Sequence, residues 1–222
     1  MYHTYTVDVI TPTVAGREHL LADAVASVEL QTYTPVRHII GVDTGGRPDA
    51  CRNALVQQSS ADWIAFLDDD DILYPEHINK LMLAALNEGA SMAYSRCDYP
   101  PGLGLDRYAV EPFDERKLRG ANYIPITVLM WRQAFLDVGM FRTPDQFAGY
   151  EDWFLWLDLL DHGHKFAFCP EITWLYRLHG HPWRPAWFTV LKENEDVRNT
   201  FRRTMGIESA SPGGDTICGP TP

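Results

Sequence analysis

The sequence predicts an α/β fold, in which a mainly parallel sheet is flanked by helices. Strand-like and helix-like segments alternate through the first half of the chain, an order that is typical of parallel sheets. The chain has 222 residues, of which 45% are apolar and 22% are charged, as in an ordinary globular protein. A chain of this length buries a core without disulfides, so we expect a single domain.

The first half of the chain contains the clearest elements. Runs rich in β-branched and other apolar residues predict strands at 5–11, 36–42, 63–67 and 91–95. Apolar residues at helical spacing predict helices at 18–31, 50–58 and 75–86. In open sheets of this kind, ligands bind beyond the carboxyl ends of the strands. The segments that follow the strands are therefore the first place to look for a functional site.

The second half of the chain is less regular. We expect a loop at 98–105 and, because of its Gly, Pro and Ser content, a disordered tail at 209–222. Further strands are predicted at 126–131, 166–168 and 172–178. Further helices are predicted at 151–161 and 185–205. No linker separates the two halves, so residues 1–208 are predicted to form one domain.

Charge and cysteine content exclude several classes of protein. The formal net charge is −11, from 19 basic and 30 acidic residues, which argues against a general binder of nucleic acid or anionic membranes. No stretch approaches the roughly 18 apolar residues of a membrane span, and the first residues do not resemble a signal peptide, so we expect no stable membrane insertion. The four cysteines form no zinc or disulfide pattern. A cytoplasmic protein with reduced thiols is expected.

The run from Asp68 to Asp71 follows the third predicted strand and precedes a helix. Four adjacent carboxylates repel one another unless something compensates their charge. A hard divalent cation is a natural partner, because Mg²⁺ prefers carboxylate oxygens and commonly bridges to substrate phosphates. The alternative is a solvated acidic turn that caps the next helix. The position at the carboxyl end of a strand favours a ligand site.

Glu151 and Asp152 begin the predicted helix 151–161. Acidic residues in the first turn of a helix are stabilised by its dipole, and this structural role is one interpretation. The other interpretation is catalytic, because an ionised aspartate beside an active site can serve as general base toward a hydroxyl. Both interpretations stay open on the sequence alone.

Two His-Gly-His runs and a group of tryptophans are weaker candidates. The run at 162–164 is typical of a helix end with a left-handed glycine. The run at 179–181 is either a plain loop or a contact to a phosphate or metal. Several tryptophans lie in the last third of the chain, where they belong to the core or provide a stacking surface for a sugar ring; they are Trp153, Trp156, Trp174, Trp183 and Trp187.

Three segments together resemble the family 2 glycosyltransferases, which are inverting enzymes of the GT-A fold. The first, VDVITPTVAGREHLLADAVASVELQTYTPVRHIIGVD, resembles that family's first strand, long helix and second strand. The second, CRNALVQQSSADWIAFLDDDDILYPEHINKL, is similar to its Arg-Asn helix, third strand, Asp-x-Asp motif and next helix. The third, GYEDWFLWLDLLDHGHKFAFCPEITWLYRLHG, is similar to its Glu-Asp helix and closing strand. The resemblance covers residues 7–181.

The resemblance implies a nucleotide-diphosphate sugar donor, with UDP as the expected nucleotide, and a Mn²⁺ or Mg²⁺ ion. The residues that it implies for donor binding are Thr11, Pro12, Thr13, Asp43, Arg52 and Asp69. The residues that it implies for the metal are Asp68, Asp70 and His179, with Asp70 as the direct ligand. Residues 1–98 would then form the nucleotide-sugar and metal half of the domain.

The resemblance also implies roles on the acceptor side. Asp152 would be the catalytic base that deprotonates an acceptor hydroxyl. The acceptor-side candidates are Glu151, Trp153 and Trp183, and residues 99–208 would form the acceptor half. The acceptor itself stays open between a glycan, a lipid-linked sugar, a protein and a modified nucleic acid.

One departure from the family pattern and two other functions stay open. The chain has Asp43-Thr44-Gly45-Gly46 where the family usually has two aspartates followed by Gly-Ser, so the nucleotide base is not specified. A nucleotide- or glycan-binding module without turnover would keep the same fold. A nucleotidyltransferase would use a nucleoside triphosphate, although no Gly-rich, lysine-bearing loop follows the first strand.

Overall fold

A computed structural model describes residues 4–100, 111–142, 149–178, 185–193, 195–196, 199 and 216–218. Its strands are β1 (Val7–Thr13), β2 (Val36–Val42), β3 (Trp63–Phe66), β4 (Ile72–Leu73), β5 (Met92–Asp98), β6 (Val128–Trp131), β7 (Phe166–Leu175) and β8 (Thr216–Cys218). Within these described residues the strands form one sheet with the order β4-β7-β5-β6-β3-β1-β2-β8.

The helices connect the strands, and a proline and a glycine mark two of the helix ends. They are α1 (Glu18–Glu29), α2 (Pro48–Gln57), α3 (His77–Glu88), α4 (Glu115–Gly120), α5 (Arg132–Asp137), α6 (Glu151–Asp161) and α7 (Ala186–Glu193). Pro48 begins α2, where its missing N–H is not needed. Gly163 follows α6 with a φ of 77°, as the His-Gly-His run at 162–164 predicted.

The sheet is mixed, and the carboxyl ends of its parallel strands β1, β2 and β3 lie at one edge. Strands β2 and β3 both pair parallel with β1, and the ends of β1 and β2 are in register, with Thr13 opposite Val42. Strand β6 runs antiparallel between β3 and β5, and β7 is parallel to β5. Asp43 and the aspartate run, which follow β2 and β3, therefore lie at the same edge of the sheet.

One hydrophobic core extends through both halves of the sequence. Ile10, Phe66, Leu129 and Trp156 all belong to it, and each is fully buried. Strands β1 and β3 are buried along their whole length, because helices cover the central part of the sheet. The continuous core agrees with the predicted single α/β domain.

Every strand and helix predicted in the first half is present, although β1 continues beyond the predicted end through Pro12 to Thr13, and the bounds of α6 match the prediction at both ends. One prediction was wrong: the segments 166–168 and 172–178 do not form two strands, because β7 runs continuously through Pro170. The register of β7 against β5 shifts beside Arg96, and this bulge accommodates the proline. Strand β4 and helices α4 and α5 were not predicted, because each has six residues or fewer.

Thr216–Cys218 pairs with β2, while the rest of 209–222 lies outside the described residues, so its disorder stays a prediction.

Candidate active site

A cavity of about 770 Å³ lies at the carboxyl ends of β1, β2 and β3. Its volume falls in the roughly 300–1,000 Å³ range of small-molecule sites. The sequence-predicted site residues that line it are Pro12, Thr13, Asp43, Arg52, Asp68, Asp69, Asp70 and Glu151. The fold thus brings most of the predicted donor and metal residues to one cleft.

The aspartate run forms a tight turn between β3 and β4. The Asp71 N–H donates to the Asp68 carbonyl oxygen over 3.1 Å. Carboxylate oxygens of Asp68, Asp70 and Asp71 lie within 4.8 Å of one another. Burial, and then repulsion by neighbouring carboxylates, raises the pKa of both Asp70 and Asp71. Three carboxylate oxygens at this spacing can hold a hard divalent cation, and Asp71 is a member that the sequence did not single out.

Arg17, which directly precedes α1, brings a cation into this cleft that the sequence analysis missed. Its Nη2 atom lies 3.0 Å from Asp69 Oδ1 and 2.5 Å from Asp70 Oδ2. Thr13 Oγ1 donates to the other Asp69 oxygen over 2.6 Å. Asp69 is therefore fully engaged inside the protein, whereas Arg17 would compete with a metal ion for Asp70.

Arg52, on α2, bridges the aspartate run and α6. Its side chain is 4% exposed, and its two terminal nitrogens donate to Asp68 Oδ1 over 2.5 Å and to Glu151 Oε1 over 3.1 Å. Burial opposes the guanidinium charge, but the two carboxylates keep the pKa of Arg52 raised. These bonds engage both terminal nitrogens of Arg52 within the protein. The predicted contact of Arg52 with the nucleotide base stays a prediction.

A second cavity, of about 150 Å³, adjoins the first one. The residues that line both cavities are Arg52, Asp68, Glu151 and Tyr176. Asp152 lines the smaller cavity and Asp70 lines the larger one. The Arg52 bridge therefore stands between a cleft with the aspartate cluster and a pocket with the predicted base.

Asp152 has the environment of a group that exchanges protons near neutral pH. Asn122 Nδ2 donates to its Oδ2 atom over 2.9 Å, and the Trp153 N–H donates to Oδ1 over 2.7 Å. Burial is the main cause that raises the pKa of Asp152 to about 7; the charge of Glu151 adds to it, and the two hydrogen bonds oppose it. A carboxylate with such a pKa is well matched to general base catalysis.

Arg177, two residues after the end of β7, holds the aspartate run in place. Its N–H donates to Asp71 Oδ1 over 2.8 Å, and its Nε atom donates to the Asp70 carbonyl oxygen. Its Nη1 atom lies 2.7 Å from Asp23 Oδ2 on α1, and neither side chain is exposed. The run is thus tied to α1 and β7 by one buried arginine, which gives Asp70 and Asp71 fixed positions.

Thr11 and Trp153, two of the predicted site residues, line neither of these two cavities. The Thr11 hydroxyl bonds to buried His38 over 2.8 Å, and burial lowers the pKa of His38 to about 3, so the imidazole is neutral. The Trp153 indole N–H donates to a backbone carbonyl of α4 over 2.7 Å. His179 and Trp183 lie outside the described residues, so their roles stay predictions.

Comparison with known sequences identifies the region around the aspartate run. Residues 45–143 match the sequence model of a family described as Glycosyl transferase family 2. The match covers a little less than half of the chain, so it shows a likeness to this family around the aspartate run. The matched region contains Arg52 and the run from Asp68 to Asp71, but it ends before Glu151 and Asp152.

One curated relative and several solved structures are similar to this chain. The succinoglycan biosynthesis protein ExoO of Rhizobium meliloti (strain 1021) is 22% identical over 76% of this chain and 53% of its own length. The crystal structure of S. aureus TarS 1-349 in complex with UDP has a TM-score of 0.64 and 14% identity, covering 92% of this chain and 66% of that one. TarS 1-349 in complex with UDP-GlcNAc has a TM-score of 0.65 and 12% identity, covering 92% and 67%.

These similarities confirm the predicted fold, a GT-A type α/β domain. The chain spans about half the length of the curated relative that it matches and about two thirds of the solved chains. Among the described helices, none combines the length and the apolar content that crossing a bilayer requires.

Proposed function

We propose that this chain is a metal-dependent, inverting glycosyltransferase that moves a sugar from a nucleotide-diphosphate donor to an acceptor hydroxyl. The observation that carries the proposal is the meeting of two cavities at Arg52, Asp68 and Glu151. The larger cavity contains the aspartate cluster, and the smaller one contains Asp152, whose pKa is about 7. Transfer needs such an arrangement, because the donor and the acceptor must meet at the reacting carbon.

The larger cavity suits the nucleotide donor. Pro12, Thr13 and Asp43 line it at the ends of β1 and β2, where α/β folds bind nucleotides. TarS, which shares the fold, crystallised with UDP and with UDP-GlcNAc. We therefore propose UDP as the nucleotide and place it against these residues.

The aspartate cluster fits a Mg²⁺ or Mn²⁺ ion by the chemistry of its ligands. Asp68 and Asp70 are partly exposed to the cleft, and Asp71 is buried behind them. Oxygen ligands of this kind are those that both ions prefer. A bound ion would supply positive charge that stabilises the departing diphosphate. Arg17, which now contacts Asp70, would then be available to a phosphate oxygen in the same cavity.

Asp152 performs the proton transfer in this proposal. Its carboxylate takes the proton of the acceptor hydroxyl, and the acceptor oxygen forms a bond to the anomeric carbon. The bond between that carbon and the diphosphate oxygen breaks, and its electron pair leaves with the nucleoside diphosphate. Attack from the face opposite the leaving group inverts the anomeric configuration. Asn122 and the Trp153 N–H hold the carboxylate in one orientation while it acts.

Two substitutions separate the roles of base and metal ligand. Asp152→Asn should lower transfer by roughly 100-fold or more, because general base catalysis contributes about that much, and should leave UDP affinity unchanged. Asp70→Asn should weaken UDP binding in the presence of Mn²⁺. Asp161→Asn is the matched control, since Asp161 lies on the same helix, is 61% exposed and pairs with Arg119.

Calorimetric titration with UDP, GDP and dTDP, with and without Mn²⁺, tests the donor assignment directly. We expect Mn²⁺-dependent binding of one of them, with UDP preferred. If none of the three nucleotides binds, the enzyme proposal fails. If Asp152→Asn keeps near-normal turnover, the base is a different residue.

A further inference from the structure

A buried group of charges lies behind the aspartate run. Its centre is Asp23 on α1, whose side chain is fully buried and lines neither of the two cavities. Asp23 Oδ2 lies 2.7 Å from Arg177 Nη1, and Asp23 Oδ1 accepts a hydrogen bond from Lys192 Nζ on α7. The Arg177 side chain is fully buried as well, whereas that of Lys192 is 28% exposed. One buried carboxylate thus pairs with cations from two other segments of the chain.

Arg177 connects Asp23 to the proposed metal ligands. Its backbone N–H donates to Asp71 Oδ1 over 2.8 Å, and its Nε atom donates to the Asp70 carbonyl oxygen. Asp23 therefore bonds to the residue that holds the aspartate run, while it does not contact the cleft itself. Groups that hold metal ligands in one orientation affect metal affinity even when they never contact the ion.

Apolar packing fixes the elements that carry these charges. Phe188 on α7 is fully buried in one cluster with Leu30, which directly follows α1, and with Ile72 and Leu175. Ile72 and Leu175 are opposite each other in the pairing of β4 with β7, and Ile72 directly follows Asp71 in the sequence. Helices α1 and α7 are thus packed against the strand pair that adjoins the aspartate run, so the charged groups have defined positions.

The charge of Asp23 has a consequence for the cation site that apolar packing could not provide. Buried ion pairs are weak sources of stability, because the loss of hydration offsets the attraction between the charges. Arg177 carries a full positive charge beside carboxylates that would bind a divalent cation, and Asp23 compensates that charge. With Asp23 neutral, Arg177 would repel the ion and would bond more strongly to Asp71.

Resting on the metal site of the proposed function, we infer that Asp23 is a positioning residue for the divalent cation and acts through Arg177. Its carboxylate compensates the guanidinium charge and holds Arg177 in the place from which it orients Asp70 and Asp71. The determinants of cation affinity therefore extend to a buried carboxylate on α1. Lys192 pairs with the other oxygen of Asp23 and stabilises the docking of α7, but the cation does not depend on it.

The test measures Mn²⁺ binding to the full chain by electron paramagnetic resonance, in which the signal of free Mn²⁺ decreases as the ion binds. Asp23→Asn keeps the size of the side chain and removes its charge. It should weaken Mn²⁺ binding about tenfold, the lower end of the roughly 10–100-fold effect of groups that hold metal ligands, because Asp23 acts through one further residue. The melting temperature of each variant is measured as well, so that affinities are compared only where the chain is folded.

Two control variants separate this role from a loss of stability. Asp8→Asn neutralises another buried carboxylate, which pairs with Arg37 over 2.6 Å near the start of β1 and lines neither cavity. It should lower the melting temperature and leave Mn²⁺ affinity unchanged. Lys192→Met removes the outer cation and leaves the bond between Asp23 and Arg177 in place, so Mn²⁺ affinity should stay within about twofold.

The outcomes are distinct. Unchanged Mn²⁺ affinity in Asp23→Asn overturns the inference, and so does an equal loss in Lys192→Met, which would assign the effect to the docking of α7. If Asp23→Asn does not fold, Arg177→Lys decides. Its single ammonium group cannot bond to both Asp23 and the Asp70 carbonyl oxygen, so Mn²⁺ binding should weaken about tenfold, and an unchanged affinity again overturns the inference. If the unaltered chain binds no Mn²⁺, the metal site of the proposed function is itself wrong, and the inference falls with it.

Discussion

Asn122 offers a direct test of how the protein sets the pKa of its proposed base. Its Nδ2 atom donates to Asp152 Oδ2 over 2.9 Å and stabilises the ionised carboxylate. A hydrogen bond to a charged group contributes about 1.5–3 kcal/mol, and 1.36 kcal/mol corresponds to about one pKa unit. Removing this donor should therefore raise the pKa of Asp152 by roughly one to two units, from the value of about 7 set mainly by burial.

The sign of the expected effect on activity follows from the role of a base. Asp152 acts when it is ionised, so activity falls as the pH drops through its pKa. In the native protein about half of Asp152 is ionised at pH 7. With a pKa raised by one to two units, about 1–10% is ionised, so turnover at pH 7 should fall roughly fivefold to fiftyfold and recover at higher pH.

The assay is the pH profile of UDP release from the donor, measured with Mg²⁺ from about pH 5.5 to 10 for each variant. Asn122→Ala removes the amide. Asn122→Asp keeps an oxygen that can accept from the Ile124 N–H, which now donates to Asn122 Oδ1 over 3.1 Å. It also adds a like charge, so it should shift the profile further than Asn122→Ala does.

The control and the refuting result are both specific to this hydrogen bond. Gln133→Ala removes a similar amide donor, which bonds to Asp137 over 2.7 Å on the exposed surface, and should leave the profile unchanged. In one outcome, the pH at which activity reaches half of its maximum stays near 7 in both Asn122 variants, and activity is lowered equally at every pH. Asn122 would then have a structural role, and the reasoning about Asp152 would be wrong.

Three further predictions follow from packing and charge. Arg17→Ala should tighten Mn²⁺ binding about twofold to fivefold by calorimetry, because a partly exposed ion pair worth up to about 1 kcal/mol no longer competes for Asp70. Arg52→Met should lower the free energy of unfolding in urea by about 3 kcal/mol, since two carboxylates lose their buried partner. Gly41→Ala should cost about 1–3 kcal/mol in the same measurement, because its Cβ atom would lie 2.7 Å from Leu55 Cδ2.

Local patterns predicted much of the framework of the site. The strand at 63–67 and the aspartates after it are adjacent in the sequence, so the sequence alone predicts that the carboxylates lie at a strand end. The helix 151–161 begins and ends as predicted, because its apolar spacing and the glycine at 163 are local signals. Pro170 misled the prediction of β7, since a bulge allowed the strand to continue through it.

Contacts between distant segments were not predictable in this way. Arg52 and Glu151 are separated by 99 residues, and Arg177 and Asp23 by 154. Their pairing depends on the strand order, in which β6 is inserted antiparallel between β3 and β5. No periodicity or motif in a single sequence specifies that order. The sequence therefore did not predict that Arg17 would contact Asp70 or that Asn122 would contact Asp152.

The sequence by itself determined the α/β class, the positions of the aspartate run and the start of α6, because hydrophobic spacing and strand-end chemistry are local properties. Only the tertiary structure decided that the site has two cavities joined at the Arg52 bridge. It also decided that Asp152 titrates at about pH 7, because desolvation and hydrogen bonding depend on which distant segments surround the carboxylate.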